Sequence, residues 1–170
     1  MSKRIVAALG MAVLLAASCA GVDEPDQPVP PSASTGTTTP SPSVTFGAAK
    51  VLIDTADGSV IVNAEKAETP EQRAVGLMHR TSLEPDAGMV FLFFEERTGG
   101  FYMKNTLIPL SIAFFDSEGI IVEILDMEPC KRDPCKTYDP GVPYEGALEV
   151  NQGAFEGWGV EVGDRVTVSH

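Results

Sequence analysis

Histidine is scarce in this 170-residue chain, which has only His79 and the terminal His170. A protein zinc site needs three or four ligands at workable spacing, and no such set is visible. The sequence also lacks a G-x-S-x-G nucleophile motif and a phosphate-binding loop. We therefore predict no metal and no cofactor, although oxygen ligands alone would suffice for Ca²⁺ or Mg²⁺. His79 is interpreted as a surface residue.

Basic residues are also few, with 12 lysines and arginines against 24 acidic residues and a net charge of −12. Only Lys3 and Arg4, with three acids, precede residue 48, so the rest of the chain carries ten basic and 21 acidic residues, a net charge of −11. Such a surface repels phosphate backbones and gives no charge-driven docking on anionic lipid. We predict no nucleic-acid partner and interpret the excess acid as a solvated surface.

The apolar stretch near the N-terminus is too short for a transmembrane helix, which needs roughly 20 residues. Residues 5–15 form an apolar stretch of 11 residues that follows Lys3 and Arg4 and leads into small residues. This order is typical of a secretory signal peptide, which we place at residues 1–18.

The end of that segment resembles the lipobox of bacterial lipoproteins. Residues 15–19 read LAASC, and in lipoproteins the cysteine is lipidated and becomes the mature N-terminus. The resemblance predicts lipidation of Cys19 and an extracytoplasmic domain anchored to a bacterial membrane. The alternative is an ordinary cleaved signal, and Ala16 departs from the leucine that is commoner there.

Proline, serine and threonine dominate the next segment, residues 20–47, which has no apolar periodicity. Such a composition cannot bury enough surface to offset the entropy of ordering. We predict that residues 19–47 form a lipidated, disordered tether and that residues 48–170 form one compact domain.

Two hairpins and one helix have the clearest local signals in the domain. Asp57-Gly58 is a strong turn signal between two β-branched stretches, and Asp116–Gly119 separates another pair. Thr69 as cap, Pro70 in the first turn and Gln72 in a capping box predict a helix that runs to about Met78. Further strands are predicted at residues 89–94, 101–103, 147–150 and on both sides of Gly163-Asp164, and Asn151 is predicted to cap a short helix.

These seven or eight strands, with no β-α-β alternation, predict a β-rich α+β fold. The expected architecture is a small, mainly antiparallel barrel or strongly curved sheet with one or two short helices. The phenylalanines and methionines of the domain are assigned to its core, namely Phe91, Phe93, Phe94, Phe114, Phe115, Met78, Met89 and Met103.

Two cysteines remain if Cys19 is lipidated. Cys130 and Cys135 lie five positions apart in a proline-rich loop of an exported chain, which favours a structural disulfide. Their spacing is not the C-x-x-C of oxidoreductases, so a redox site is the weaker interpretation.

Several separated blocks of the domain resemble domain-of-unknown-function family 192. The blocks are TPEQRAVGLMHR (69–80), GMVFLFF (88–94), residues 101–130, ALEVNQG (147–153) and GVEVGDRV (159–166). The resemblance covers roughly residues 50–168 and implies a compact β-rich fold, often secreted or membrane-anchored, with no established activity. Ser111 departs from the aspartate that is frequent in the family.

The family blocks contain polar residues at the edges of apolar segments, and aromatic residues lie near them. We predict a shallow cleft that binds a small polar or anionic ligand, with Lys104 supplying charge and aromatic side chains a stacking wall. Alternatively, Arg80 or Lys104 pairs with Glu149 and the asparagines close turns. The candidate ligand-binding residues are Arg80, Tyr102, Lys104, Asn105, Glu149, Asn151 and Trp158, and Phe101 could extend the wall.

No nucleophile–base pair or metal set is visible, so the sequence favours a non-enzymatic envelope domain that binds a small ligand or a protein partner. The first alternative is an enzyme acting on a saccharide or metabolite through carboxylates such as Glu128 and Glu149, which would have to lie roughly 5–10 Å apart. The second is a structural module whose polar residues only stabilise the fold.

Overall fold

The computed structural model describes residues 44–169, so the predicted signal peptide, Cys19 and most of the predicted tether lie outside the described residues. The described part contains nine strands and two short helices, which is more strands than the sequence indicated. In chain order the elements are β1 (Gly47–Thr55), β2 (Gly58–Ala67), α1 (Pro70–Val75), β3 (Ala87–Arg97), β4 (Phe101–Tyr102), β5 (Leu110–Phe115), β6 (Ile121–Met127), β7 (Thr137–Tyr138), β8 (Tyr144–Asn151), α2 (Ala154–Trp158) and β9 (Arg165–Ser169).

Seven strands form one mixed sheet in the order β6-β5-β8-β3-β2-β1-β9, and β4 and β7 form a separate two-stranded ribbon. Both predicted hairpins, β1–β2 and β5–β6, are confirmed. All neighbours in the sheet pair antiparallel except β2 and β3, which run parallel and are joined through α1. The sheet is thus mainly antiparallel, as predicted, but it contains one β-α-β unit that the sequence pattern did not indicate. A parallel pair needs a crossover connection, and α1 lies within it.

The sheet is strongly curved, and its two edge strands approach each other at one corner. Ile120, beside β6, forms an isolated antiparallel bridge with Arg165 of β9. Next to it, the Val166 amide donates to the carbonyl of Gly119 at 2.7 Å. A Cβ at Gly119 would collide with the Val166 carbonyl, so only glycine allows this contact. The edges meet at this bridge without a continuous ladder, so the curved sheet fits the prediction and a closed barrel is not formed.

Apolar side chains pack on both faces of the sheet. The inner cluster takes residues from all seven strands and from α2, which places it inside the curl. The outer cluster lies on the opposite face of β3, β5, β6 and β8 and is covered by the β4–β7 ribbon and the turn after α1. The inner cluster includes Val51, Ile53, Val90, Phe115, Leu148, Val150 and Phe155, and the outer one includes Leu77, Met89, Phe91, Met103, Ile112, Phe114, Tyr138 and Tyr144.

Helix α1 starts as predicted and ends earlier. The Thr69 hydroxyl accepts from the Gln72 amide at 3.2 Å, and the Gln72 side chain accepts from the Thr69 amide at 3.0 Å, which completes the capping box. The helix ends at Val75 because Gly76 adopts φ 48°, and a turn follows. This end places Leu77 in the outer cluster, whereas Val75 is exposed.

Two further expectations were wrong. Phe94 is not in the core but 92% exposed, because β3 loses its register with β8 between Leu92 and Arg97. Only one strand, β9, flanks Gly163-Asp164, since the segment before it forms a turn whose Gly163 amide donates to Ile121. Among the described residues, no helix has the length and apolar character needed to cross a membrane.

Candidate functional site

A pocket of about 500 Å³ opens on the outer face of the sheet. Its walls come from α1 and the turn after it, the C-terminal half of β3, and β4. Its remaining lining residues, Thr106, Tyr144 and Glu149, come from the loop before β5 and from β8. Pockets of 300–1,000 Å³ are typical of small-molecule sites.

Glu149 is the unusual residue of this pocket because it lies within the apolar centre of the sheet. It is only 6% exposed, and its neighbours across β8 are Met89 in β3 and Ile112 in β5. Alternation along β8 sends Leu148 and Val150 into the inner cluster and Glu149 to the outer face. The strand therefore places a carboxyl group among buried apolar side chains.

The Glu149 carboxyl has no hydrogen-bond or ion-pair partner among residues 44–169. Burial in apolar surroundings raises its pKa from 4.5 to about 8, so the group is mainly neutral at pH 7. No fully sealed side-chain oxygen or nitrogen in this part of the chain lacks a partner. The Glu149 oxygens therefore meet the open space of the pocket.

Two more buried polar groups share this condition. Thr106 is 7% exposed and Tyr144 is 3% exposed, both line the pocket, and neither side-chain oxygen has a hydrogen-bond partner in the described part of the chain. By contrast, the buried Ser111 donates to Asp126, and the hydroxyl of Tyr138 accepts from the Glu128 amide. Buried polar side chains without a partner, within the described residues, are thus concentrated at this one pocket.

Aromatic rings form much of the remaining wall. Phe101 packs edge-to-face on Phe91 with ring centroids 5.0 Å apart, and Phe93 meets Tyr144 at 5.8 Å. Tyr102 lies next to Phe101 and is 52% exposed. These rings give the pocket apolar faces with negative π density, which attract cations as well as apolar groups.

Two guanidinium groups also line the pocket, and both contact the Phe93 ring. The Cζ atoms of Arg73 and Arg97 lie 5.0 and 4.9 Å from its centroid. Arg73 is held in place because it donates to the carbonyls of Glu68 and Leu92. Arg97 is exposed, and within the described residues its guanidinium makes no hydrogen bond. It therefore presents free donors to a ligand.

The predicted cationic residues lie elsewhere. Arg80 donates two hydrogen bonds to Glu65, at 2.8 and 2.7 Å, and these bonds raise its pKa. Lys104 is exposed and pairs with Asp133 at 2.9 Å. Neither pairs with Glu149, so the alternative in which one of them neutralises this carboxyl was wrong.

The two predicted asparagines close turns and loops. Asn105 adopts φ 58°, and its carbonyl accepts from His79, which is exposed as predicted and adopts φ 63°. Asn151 donates to the carbonyls of Leu83 and Glu84. It does not cap α2, whose N-cap is Gly153.

Of the predicted set, the pocket brings together Tyr102 and Glu149. Trp158 packs edge-to-face on Phe155 at 6.1 Å, against the inner cluster, and does not line this pocket. Arg97, Thr106 and Tyr144 also line the pocket and were not predicted as site residues. Their only signal is proximity in the fold, because they come from three separate elements.

The cysteine loop supports one wall of the pocket. Cys130 and Cys135 form the predicted disulfide, with their Cα atoms 5.5 Å apart. The loop leads into β7, which pairs with β4 and so backs the Phe101–Tyr102 wall. Cys130, Asp133 and Cys135 lie close enough together to bind a metal ion, but the oxidised sulfurs offer no thiolate ligands.

The two carboxylates of the enzyme alternative are not in one pocket. Glu128 is exposed, accepts from the Gln152 side chain at 3.1 Å, and lines a separate depression beside the cysteine loop. Glu149 lines the pocket described above. A mechanism that uses both groups on one ligand has no support in this arrangement.

The profile of the DUF192 family, described as "Uncharacterized ACR", matches residues 52–168. The chain belongs to this family. A solved structure described as a "putative transcription regulator" from Sinorhizobium meliloti 1021 is 35% identical, with a TM-score of 0.68 over 74% of this chain and 97% of that chain. A solved structure described as a "protein of unknown function" from Novosphingobium aromaticivorans DSM 12444 is 30% identical, with a TM-score of 0.65 over 69% and 83% of the two chains. No curated protein matches the chain.

The S. meliloti structure indicates that a DUF192 domain folds by itself. Because 97% of that chain is covered, it consists almost entirely of this domain and folds without a long N-terminal extension. All the strands, helices and apolar clusters described above likewise lie within residues 46–169. Residues 44–170 are therefore a suitable protein for experiments.

One DUF192 position has a local physical explanation here. Ser111 donates to Asp126 and accepts from the Gly153 amide at 2.9 Å. An aspartate at 111 would place a second carboxylate against Asp126, at a buried site, and would raise the pKa of one of the two. Serine avoids this repulsion while keeping the contact with the start of α2.

Proposed function

We propose that this DUF192 domain binds a small ligand in the pocket lined by Glu149, while a lipid on Cys19 holds it at a bacterial membrane outside the cytoplasm. The observation that carries the binding proposal is the group of three partnerless buried polar side chains, Thr106, Tyr144 and Glu149, in one pocket of the described chain. Pockets with mostly apolar walls and a few convergent polar groups are typical binding sites.

The energetic argument concerns polar groups that folding leaves unsatisfied. A buried donor or acceptor without a partner costs about 1–3 kcal/mol, and a carboxyl group costs more when it ionises. In the free domain these three groups face the open space of the pocket, where water can supply their hydrogen bonds. A ligand that replaces this water and pairs all three groups away from solvent would gain affinity and specificity, because a compound that leaves one of them unpaired would incur that cost.

The binding proposal is tested by thermal shift on residues 44–170 with panels of ammonium compounds, carboxylates, amino acids, sugars and neutral alcohols. Wild type and Glu128→Gln, a matched exposed glutamate in a different depression, should be stabilised by the same class. Glu149→Gln should lose that stabilisation. If no class stabilises wild type, or if Glu149→Gln responds equally, the pocket is not the binding site.

The proposed lipid anchor rests on the LAASC sequence at residues 15–19 and the Pro/Ser/Thr-rich segment after it. Intact mass spectrometry of the protein extracted from native membranes should give a chain that begins at Cys19 and carries a diacyl or triacyl addition. A Cys19→Ser variant should lose the addition and be released from the membrane. An unlipidated mass for the wild type would overturn this part of the proposal.

A second candidate function is proton transfer to or from the bound ligand by Glu149. Its raised pKa favours this, because a general acid works best when its pKa lies near the operating pH. The ligand class identified by thermal shift should then be chemically converted by wild type and left intact by Glu149→Gln, as measured by mass spectrometry. If the ligand is unchanged after incubation with wild type, the enzymatic function is excluded.

We do not expect this chain to bind nucleic acid, although the S. meliloti structure is described as a putative transcription regulator. The ten basic and 21 acidic residues after residue 47 give a net charge of −11, which opposes binding to a phosphate backbone.

A further inference from the structure

The pocket contains both acidic or hydroxyl oxygens and a positively charged guanidinium group. Within the described residues, Glu149, Thr106 and Tyr144 offer oxygen atoms without partners, whereas Arg97 offers a guanidinium without an acceptor. Aromatic rings make up much of the remaining lining. A ligand that satisfies the whole pocket therefore needs an acceptor for Arg97 and a donor for the Glu149 carboxylate, whereas the two hydroxyl groups can either accept or donate.

The three oxygens favour an ammonium group over other donors. An ammonium has three N–H donors and no acceptor, which matches a carboxylate and two hydroxyl oxygens. It would also supply the positive charge that a buried carboxylate needs in order to ionise. A neutral hydroxyl or amide has fewer donors for these groups, and an anion would leave Glu149 in its protonated, uncharged form.

A simple cation is nevertheless disfavoured because Arg73 and Arg97 line the same pocket. Arg73 is held by the two hydrogen bonds that its Nη1 donates to backbone carbonyls, whereas no hydrogen bond from Arg97 occurs within the described residues. Arg97 lies near Tyr144, where its charge offsets part of the rise that burial causes in the pKa of that phenol. A carboxylate on the ligand would pair with Arg97 and remove the repulsion.

We propose that the ligand is a small zwitterion of the amino-acid class, with its ammonium on Glu149, Thr106 and Tyr144 and its carboxylate on Arg97. This inference rests on the binding function proposed above and specifies its ligand. The aromatic lining accommodates an apolar or aromatic side chain. Titratable or charged lining residues other than Glu149 are, within the described residues, Arg73, Arg97, Tyr102 and Tyr144.

The test uses three molecules that share one side chain: L-phenylalanine, 2-phenylethylamine, which lacks the carboxylate, and 3-phenylpropionate, which lacks the ammonium. Isothermal titration calorimetry on residues 44–170 should give phenylalanine at least about ten-fold tighter binding than either analogue. The Glu149→Gln variant should bind phenylalanine no more tightly than phenylpropionate. The Arg97→Gln variant should bind phenylalanine no more tightly than phenylethylamine. Arg132 is an exposed arginine of the cysteine loop, and the control variant Arg132→Gln should keep both differences in affinity.

Proton release on ligand binding distinguishes direct contact of Glu149 with the ligand from a purely structural role, because only direct contact should change its ionisation. At pH 6.5 the free carboxyl is protonated, and contact with the ligand ammonium should ionise it. Titrations in buffers of different ionisation enthalpy should therefore report close to one proton released per phenylalanine for wild type and none for Glu149→Gln. Glu149→Gln and Arg97→Gln must first give cooperative thermal melts. If one of them does not fold, Thr106→Val provides a second test, because it removes one of the oxygens that would contact the ligand ammonium.

The outcomes separate this inference from the binding function. If either analogue binds as tightly as phenylalanine and still depends on Glu149, the zwitterion inference is overturned and the pocket remains the binding site. The same conclusion follows if phenylalanine fails and another class in the thermal-shift panel depends on Glu149. If no compound in that panel depends on Glu149, both proposals fall.

Discussion

Replacing Glu149 by Gln should remove a pH-dependent loss of stability from the domain. The pKa of the Glu149 carboxyl is about 8 in the folded chain, against 4.5 for an unperturbed glutamate. Below pH 4.5 both states hold the proton and the group imposes no charge penalty. Between pH 4.5 and 8 the unfolded chain releases the proton and the folded chain keeps it, so stability falls as pH rises.

The size of this effect follows from the difference in pKa. Each unit corresponds to about 1.4 kcal/mol, so the full window amounts to roughly 5 kcal/mol and the range from pH 5 to 7.5 to roughly 3 kcal/mol. The glutamine side chain of the Glu149→Gln variant is nearly isosteric with the protonated acid and does not titrate. The free energy of unfolding of Glu149→Gln minus that of wild type should therefore grow steadily over this range and level off above pH 8.

Urea denaturation of wild type and Glu149→Gln at half-unit pH steps measures this difference directly, because the other titrating groups cancel between the two proteins. Glu128→Gln is the matched control and should give a nearly flat difference, since Glu128 is exposed. A flat difference for Glu149→Gln would refute the reasoning, because it would mean that Glu149 is ionised and stabilised in the fold.

Three further predictions concern the frame around the pocket. Reduction of the Cys130–Cys135 disulfide should lower the free energy of unfolding by about 2 kcal/mol, from the entropy of a short closed loop, and urea denaturation with and without reductant would measure it. Arg80→Ala should cost at most about 1 kcal/mol, since its paired side chains are 29% and 38% exposed, and should leave ligand titrations unchanged. Gly100→Ala should lower the free energy of unfolding by about 1–3 kcal/mol and weaken ligand binding, because the added Cβ would collide with the backbone carbonyl of Tyr138 and separate β4 from β7. Thermal melts and ligand titrations of this variant and wild type would measure both effects.

The elements that the sequence predicted well are those with local causes. The β1–β2 turn and the capping box of Thr69 and Gln72 involve residues within a few positions of one another, so their signals are contained in short windows. The parallel pairing of β2 with β3 has no such local signal, because it depends on the order in which distant strands assemble in the sheet. Phe94 was misassigned because a continuous apolar run conceals the residue at which a strand loses its partner.

The candidate site could be predicted only in part for the same reason. Glu149 was selected because it is a polar residue of a family block at the edge of an apolar segment, and Tyr102 because its ring lies beside Lys104 and Asn105 in another such block. Arg97, Thr106 and Tyr144 come from elements separated by many residues, and their common pocket depends on the curvature of the sheet. Residue type also fails to reveal which polar groups already have partners, which is what distinguishes Glu149 from Arg80.

The position of β1 has a mechanical consequence for a domain held by its N-terminus. The chain enters the sheet at Gly47, and β1 lies between β2 and β9 rather than at an edge. Its register covers nine residue pairs with β2 and five with β9, from Lys50–Ser169 to Asp54–Arg165. A pulling force transmitted along a membrane tether would have to break both ladders before the first strand could leave. If the domain is anchored through Cys19 as proposed, such a force would therefore act on a strand that is hydrogen-bonded on both sides.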